Sequence, residues 1–461
     1  MPSKSASLEA LIPNGVDGTN GGYFHPPVPV AEIARVALEG DGAGWPVHTR
    51  GLPPGVDPRD LARTGWGVVF SRQASQEVRD ALSPLIEHRR SQAGDRCLKL
   101  DYQPGETKEQ FLLRYFGGPG PVDVDAGQIP YYLLFVGGPE EIPYSLQYQL
   151  DIQYAVGRLG FETAEEYARY ARNVVACERE RQRPSRDRRA TLFSTRHPDD
   201  LMTQMAVDRL SRPLAGRLSV RHSGWTIATF FGEEATKERL GRLLGGPETP
   251  DLLLTAGHGL AFASVDPRQL RQQGALVCHG WPGPEKGRGK PIPPEHFFAG
   301  GDLSSAGGLH GLICFHLACF SAGTPRMGSS TRLLERRPLA PQDFLAELPR
   351  RLLAHPRGGA LAVIGHVDTV WEPSLLWQRT ASQVPVFESA LSALVDGLPV
   401  GEAMKVFGER YGEIAADLVE CRERREWGEK CDDEEIAALW LASQDARSYV
   451  VLGDPAVRLA V

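Results

Sequence analysis

An α/β fold of open, mostly parallel sheets flanked by helices is what this sequence predicts, and three observations predict it. Short apolar runs alternate with helix-period stretches from Gly65 onward, and the alternation occurs as two successive series. No period of 20–50 residues recurs, which argues against a solenoid. The 461 residues are 41% hydrophobic and 24% charged, enough apolar material for a sizeable core and too much for wholesale disorder.

In chain order, residues 1–60 are rich in Pro, Gly and Asn, with one short helical stretch at Ala31–Leu38. They read as an irregular arm. The first series has strands at 66–70 (WGVVF), 97–100 (CLKL), 130–138 (PYYLLFVGG) and Gln149–Arg158. Its helices lie at 75–92, weakened by Pro84, at Thr107–Phe116, and from a Thr163–Glu166 capping box to about Glu180. The charged, Pro-containing run RERQRPSRDRR (179–189) is the best internal boundary. It divides a subdomain at 61–183 from one at 188–461.

The second series has strands at 190–195, 225–231, 250–259, 311–321 and 359–366. Helices are expected at Pro198–Leu210, Glu234–Leu244, Pro341–Leu353, Phe387–Val395 and Val400–Cys421. The segment GALVCHGW reads as a hairpin, and ECRERREWGEKCDDEE (420–435) as an exposed helix end and loop. SYVVLGDPAVRLAV closes the chain as a strand, a turn and a short strand.

The net charge is −7, so no general basic field attracts nucleic acid. No stretch supplies about 18 consecutive apolar residues, so no membrane span is expected. The first residues lack the apolar core of a secretory signal, and the expectation is a soluble, cytoplasmic protein. Seven scattered cysteines without a CxxC fit reduced thiols better than a disulfide frame or a zinc site. No P-loop, GxGxxG, HExxH or GxSxG pattern occurs, and no metal or cofactor is expected.

Sites in open α/β sheets form past the carboxyl ends of strands. Two such ends carry chemistry. LLLTAGHG sets His258 between two glycines, and FHLACFSAG sets Cys319 before small residues. Thiol catalysis needs a thiolate and a base that later protonates the leaving amine, and imidazole does both near neutral pH. The Gly259 and Cys319 N–H groups are the candidate oxyanion donors. His316, between Phe315 and Leu317, reads as a residue in or behind the sheet.

T-A-G-H-G and H-L-A-C-F-S-A-G resemble the two signature strands of the caspase-like cysteine peptidases, in which a His precedes the Cys by some 50 residues. YYLLFVGGPEEIPY, YAVGRLGFETAEEYARY and SYVVLGDPAVRL are similar to successive segments on the gingipain and CHAT-protease side of that clan. Gly137-Gly138 departs from the usual Gly-Asp. The resemblance spans about 130–461 and implies two adjacent caspase-like sheets in three αβα layers, the second carrying a Cys319–His258 dyad. It implies a thiol endopeptidase acting on protein substrates at limited sites.

The same resemblance suggests further roles. Glu140 or Glu141 would be a third member orienting His258. Asp151 would be the S1 acid for a substrate Arg or Lys, with Asp368 competing and Trp371 as the pocket wall. The basic loop after Cys319 offers Arg326, Arg332, Arg336 and Arg337 for activating cleavage, by the chain itself or by an upstream protease. Ca2+ stimulates some such enzymes, and nothing in the sequence indicates it here. Bacterial relatives by resemblance serve defence or cell-death pathways. The alternatives are a catalytically silent scaffold of the same fold, a protease with a non-basic P1, and a ligase using the same acyl-enzyme.

Overall fold

The computed structural model describes residues 10–11, 14–39, 51–117, 129–180, 188–309, 311–331, 333, 337–377 and 381–460. Ten strands build its central sheet. Those of the first series are β1 (Trp66–Ser71), β2 (Cys97–Tyr102), β3 (Tyr132–Val136) and β4 (Ala155–Leu159). Those of the second are β5 (Arg189–Ser194), β6 (Thr226–Phe231), β7 (Leu252–Ala256), β8 (Ile313–Leu317), β9 (Ala362–His366) and β10 (Tyr449–Gly453). All ten fall in segments where the apolar runs predict strands.

The spatial order is β2-β1-β3-β4-β10-β9-β8-β7-β5-β6. Strands are parallel within each series except that β10 runs antiparallel to β9. The two series therefore lie side by side in one continuous sheet, joined where Val451 and Leu452 of β10 meet Gly157 and Arg158 of β4. The 181–187 stretch of the expected boundary is outside the described residues. One buried cluster runs across both series, from Val68 and Phe135 to Leu253, Phe315 and Ile364. Burial on both faces explains why β3 is an unbroken apolar run and why β7 and β8 are interrupted only by Thr255 and His316, which bond each other.

Several local expectations change. The helix expected at 75–92 is two, Gln76–Ala81 and Ser83–Ala93, because Pro84 is tolerated only in a first turn. Gln149–Arg158 is not one strand. Tyr144–Leu150 is helical, and only Ala155 onward is extended. Among the described residues no strand follows the Gly453-Asp454-Pro455 turn.

The arm carries helix α1 (Val30–Glu39), which packs on the C-terminal pair α2 (Lys405–Glu426) and α3 (Asp433–Arg447) through Ile33, Ala34, Ile414 and Trp440. Helix α3 occupies a segment whose charged start reads as loop. Its Asp432 N-cap accepts the Glu435 N–H at 2.9 Å. The reduced-thiol expectation is corrected here, since Cys421 and Cys431 are disulfide-bonded across the turn between α2 and α3. The other five cysteines are free.

Candidate active site

The site lies past the carboxyl ends of β5, β7 and β8, three neighbouring parallel strands. His258 follows β7 and Cys319 follows β8. Both are fully buried. Gly259 is required between them, because an added Cβ would collide with the Cys319 backbone. That segment pairs through Val277 N–H to the His258 carbonyl (3.0 Å) and Leu260 N–H to the Ala275 carbonyl (2.9 Å). Gly259 lies between these two bonds with its Cα against the Cys319 backbone. Phe320, next to the thiol, has φ 58°, the only non-glycine residue at positive φ among the described residues. Such strain persists only where its surroundings enforce it. Here the Phe320 N–H is held by the Asp368 carbonyl at 3.0 Å.

A carboxylate sits on His258, and it is neither Glu140 nor Glu141. Asp200, after β5, places Oδ2 2.5 Å from His258 Nε2. The same carboxylate accepts Tyr23 O–H at 2.9 Å, Thr203 O–H at 2.7 Å and the Met202 N–H at 3.3 Å, the last as N-cap of the Leu201–Met205 helix. Glu140 and Glu141 instead line a separate pocket with Phe161, Arg271 and Arg350. The loop after β3 folds back on its own glycines, which is why these two carboxylates do not reach the imidazole.

The other ring nitrogen, His258 Nδ1, donates to the carbonyl of Asn14 in the arm. A carbonyl and an ionised carboxylate can only accept, so both ring nitrogens carry protons and His258 is an imidazolium. Burial pulls its pKa down, but the Asp200 charge and hydrogen bond, with the Asn14 carbonyl, outweigh this and leave it raised. Burial pushes Asp200 up, yet His258 and the hydroxyl donors hold it well below the carboxylate range. Trp281 and His197 complete the enclosure, with ring centroids 5.7 and 6.4 Å from that of His258. Burial, and then the neighbouring His258 charge, lower the His197 pKa to about 4.

The Cys319 thiol accepts the Val370 N–H at 3.1 Å. Burial, above all, raises its pKa. The Val370 amide opposes this, and the charges of Asp368 and Asp445 add to it. Trp371 directly follows Val370, and Asp368, two residues before it, holds the Phe320 N–H and is close enough for its charge to act on the thiol. Trp371 is buried, donating its N–H to Asp445 (3.1 Å) and Nε1–H to Ser329 (3.1 Å). Asp368 accepts the Ser329 and Thr369 N–H groups, both at 2.7 Å.

Asp151 lies elsewhere, in a pocket with Tyr148, Tyr154 and Tyr449, where its carboxylate accepts the Val156 N–H at 3.0 Å. Burial pushes its pKa well up. His316 is buried in β8 against Thr255 at 2.8 Å, as its sequence neighbours suggest. Arg326 and Arg337 are exposed, and Arg332 and Arg336 lie outside the described residues. Among the described residues the one three-ligand grouping is Cys421, Cys431 and Glu435, remote in sequence from the dyad strands and using the disulfide-bonded sulfurs.

Fold and site together describe an α/β chain with a thiol, an imidazole and an orienting carboxylate on three adjacent strand ends. No family model matches the chain, and no curated protein matches it. Among solved structures it is similar to the Arg-specific cysteine proteinase gingipain R, at 12% identity and TM-score 0.46, covering 86% of this chain and 78% of that one. It is also similar to a structure described as a protease (12%, TM-score 0.47, covering 87% and 80%). A third is the complex of the pro- and mature domains of Porphyromonas gingivalis RgpB (10%, TM-score 0.45, covering 86% and 80%).

Proposed function

We propose that the chain is a cysteine endopeptidase. The observation that carries this reading is the buried Asp200–His258 pair beside Cys319. A silent scaffold has no need to hold an imidazolium, its orienting carboxylate and a thiol on three adjacent strand ends. The resemblance of the two signature strands to caspase-like peptidases supports the same reading.

In the proposed reaction the Asn14 carbonyl has left and Nδ1 has given its proton to solvent, so that His258 is neutral with Nε2–H held by Asp200. Nδ1 then takes the Cys319 proton and the sulfur attacks the substrate carbonyl, forming the C–S bond. The Gly259 and Cys319 N–H groups hold the oxyanion; one such donor supplies about 2.7–4 kcal/mol. His258, oriented by Asp200, protonates the leaving amine as the C–N bond breaks. Water then attacks the thioester with His258 as base, releasing the acid and the thiol.

Cleavage after Arg or Lys at limited sites in protein substrates is the preferred specificity. Asp368, whose charge acts on the thiol, and the more distant Asp151 are its two candidate acids, with Trp371 as wall. A cytoplasmic role in bacterial defence or cell death, with processing at Arg326 or Arg337, rests on resemblance alone.

The test is a peptide panel with Arg, Lys, Asp, Leu or Ala at P1, run on the chain cut at Pro26–Pro27 and freed of the arm segment that meets His258, and on Cys319→Ala treated alike. Release after Arg or Lys that disappears in Cys319→Ala is expected. Asp368→Ala against Asp151→Ala then identifies the pocket acid. Release after Asp alone would keep the dyad and overturn the basic preference. Absence of Cys319-dependent release, with the thiol accessible, would favour the scaffold.

A further inference from the structure

Resting on the peptidase reading above, we infer that residues 14–24 are a built-in occupant of the cleft, a hairpin that keeps the dyad latent until it is displaced. Its first peptide lies between the imidazole and the thiol. Asn14 donates its N–H to the Val370 carbonyl at 3.1 Å, and the Asn14 carbonyl takes the Nδ1–H of His258. The next residue, Gly15, faces Cys319, since a Cβ there would stand 3.7 Å from Sγ. A substrate carbonyl needs this same space.

The segment then joins the fold as a strand. Val16 and Asp17 pair in parallel with Leu260 and Ala261, directly after Gly259, and Gly18 donates to the Ala261 carbonyl at 3.0 Å. Main-chain pairing supplies affinity in such strand addition, and a side-chain pocket supplies register. Val16 fills the pocket, fully buried with Leu260, Phe262 and Trp281.

The turn is closed by Asp17, whose carboxylate accepts the Thr19 N–H at 2.6 Å and whose carbonyl accepts the Gly21 N–H at 2.7 Å. The basic loop at 283–291 clasps it through Lys290 N–H to the Asn20 carbonyl at 2.8 Å. The return limb brings Phe24 N–H to the Gly15 carbonyl at 2.8 Å and Tyr23 O–H to Asp200 at 2.9 Å. The hairpin thus touches all three members of the site. Exposed Pro26 and Pro27 separate it from α1, which is anchored on α3.

The test places the recognition site of a specific protease at Pro26–Pro27 in the full chain. Iodoacetamide labelling of Cys319 is followed by peptide mass spectrometry before and after cutting and removal of the hairpin. Labelling should rise about tenfold or more, while Cys278 and Cys314, both buried, stay unlabelled and report an intact fold. A second variant, Gly18→Trp, should do the same without cutting, because a Cβ at Gly18 already stands 2.5 Å from the Phe262 ring.

Equal labelling in the uncut chain, or an inert Cys319 after the hairpin is gone, overturns the inference. A Cys319 that becomes reactive without any peptide turnover keeps the inference and overturns the peptidase reading.

Discussion

Two buried ion pairs sit in the two halves of the sheet, and they are built to opposite ends. In the first half Arg89, 1% exposed, is held by Glu178 through two bonds of 2.8 Å, by Asp454 at 2.7 Å and by Gln92 at 2.7 Å. Asp454 also accepts Trp66 Nε1–H at 2.9 Å, so the cluster staples the end of β10 to the first series. Its cation cannot deprotonate, and all its partners belong to the packed body. The His258–Asp200 pair is as deeply buried, but its cation titrates and its third partner is a carbonyl lent by the arm. The same components make a permanent lock in one half and a releasable one in the other.

The largest effect should come from breaking the lock. Asp454→Ala leaves Arg89 buried and short of a partner and should cost about 3–5 kcal/mol, read from urea unfolding. A loss below about 1 kcal/mol would mean that the staple does not hold the halves together.

Asp200→Asn keeps the shape and the cap but removes the charge. In the hairpin-free protein kcat should fall by about 10²-fold or more, and the His258 pKa, followed by NMR, should drop. An unchanged pKa would remove Asp200 from its positioning role.

The smallest signal lies in pH. His258 has a raised folded pKa, so its contribution to stability is complete below about pH 6.5 and lost as pH rises through the folded value. Asp200 has a depressed one, so its contribution is present above about pH 4 and lost as pH falls through the folded value. The stability gap between the natural chain and Asp200→Asn should therefore be widest near pH 5–6 and shrink toward pH 9. A gap that stays constant up to pH 9 would mean that His258 does not titrate against Asp200.

The inner strands were readable because both faces of the sheet are covered there, so each is a mainly apolar run, while the edge strands β2 and β6 are partly exposed and carry polar residues. His258 and Cys319 were readable for a related reason: chemistry-bearing residues placed directly after such runs are conspicuous. Asp200 was not. An aspartate before a helix is the ordinary N-cap signal, and Asp200 does cap; nothing local tells a cap from a cap that also orients an imidazole 58 residues away. Helix α3 was hidden by the charges of its first turn, which suit a helix N-terminus and equally suit a loop. The hairpin was hidden most completely. Its Gly and Asn residues announce turns, but its place depends on Asn14 meeting His258 across 244 residues of chain. Only the assembled sheet supplies that contact.

Because the hairpin is tethered, its inhibition would be a unimolecular equilibrium that dilution cannot relieve. A short flexible tether holds its end at an effective concentration of about 1 mM. Against that, an intrinsic hairpin affinity of only about 10 μM would leave the cleft open about 1% of the time. A weak, glycine-rich segment is then sufficient for tight silence, and one cut behind Phe24 would turn a millimolar ligand into one that diffuses away.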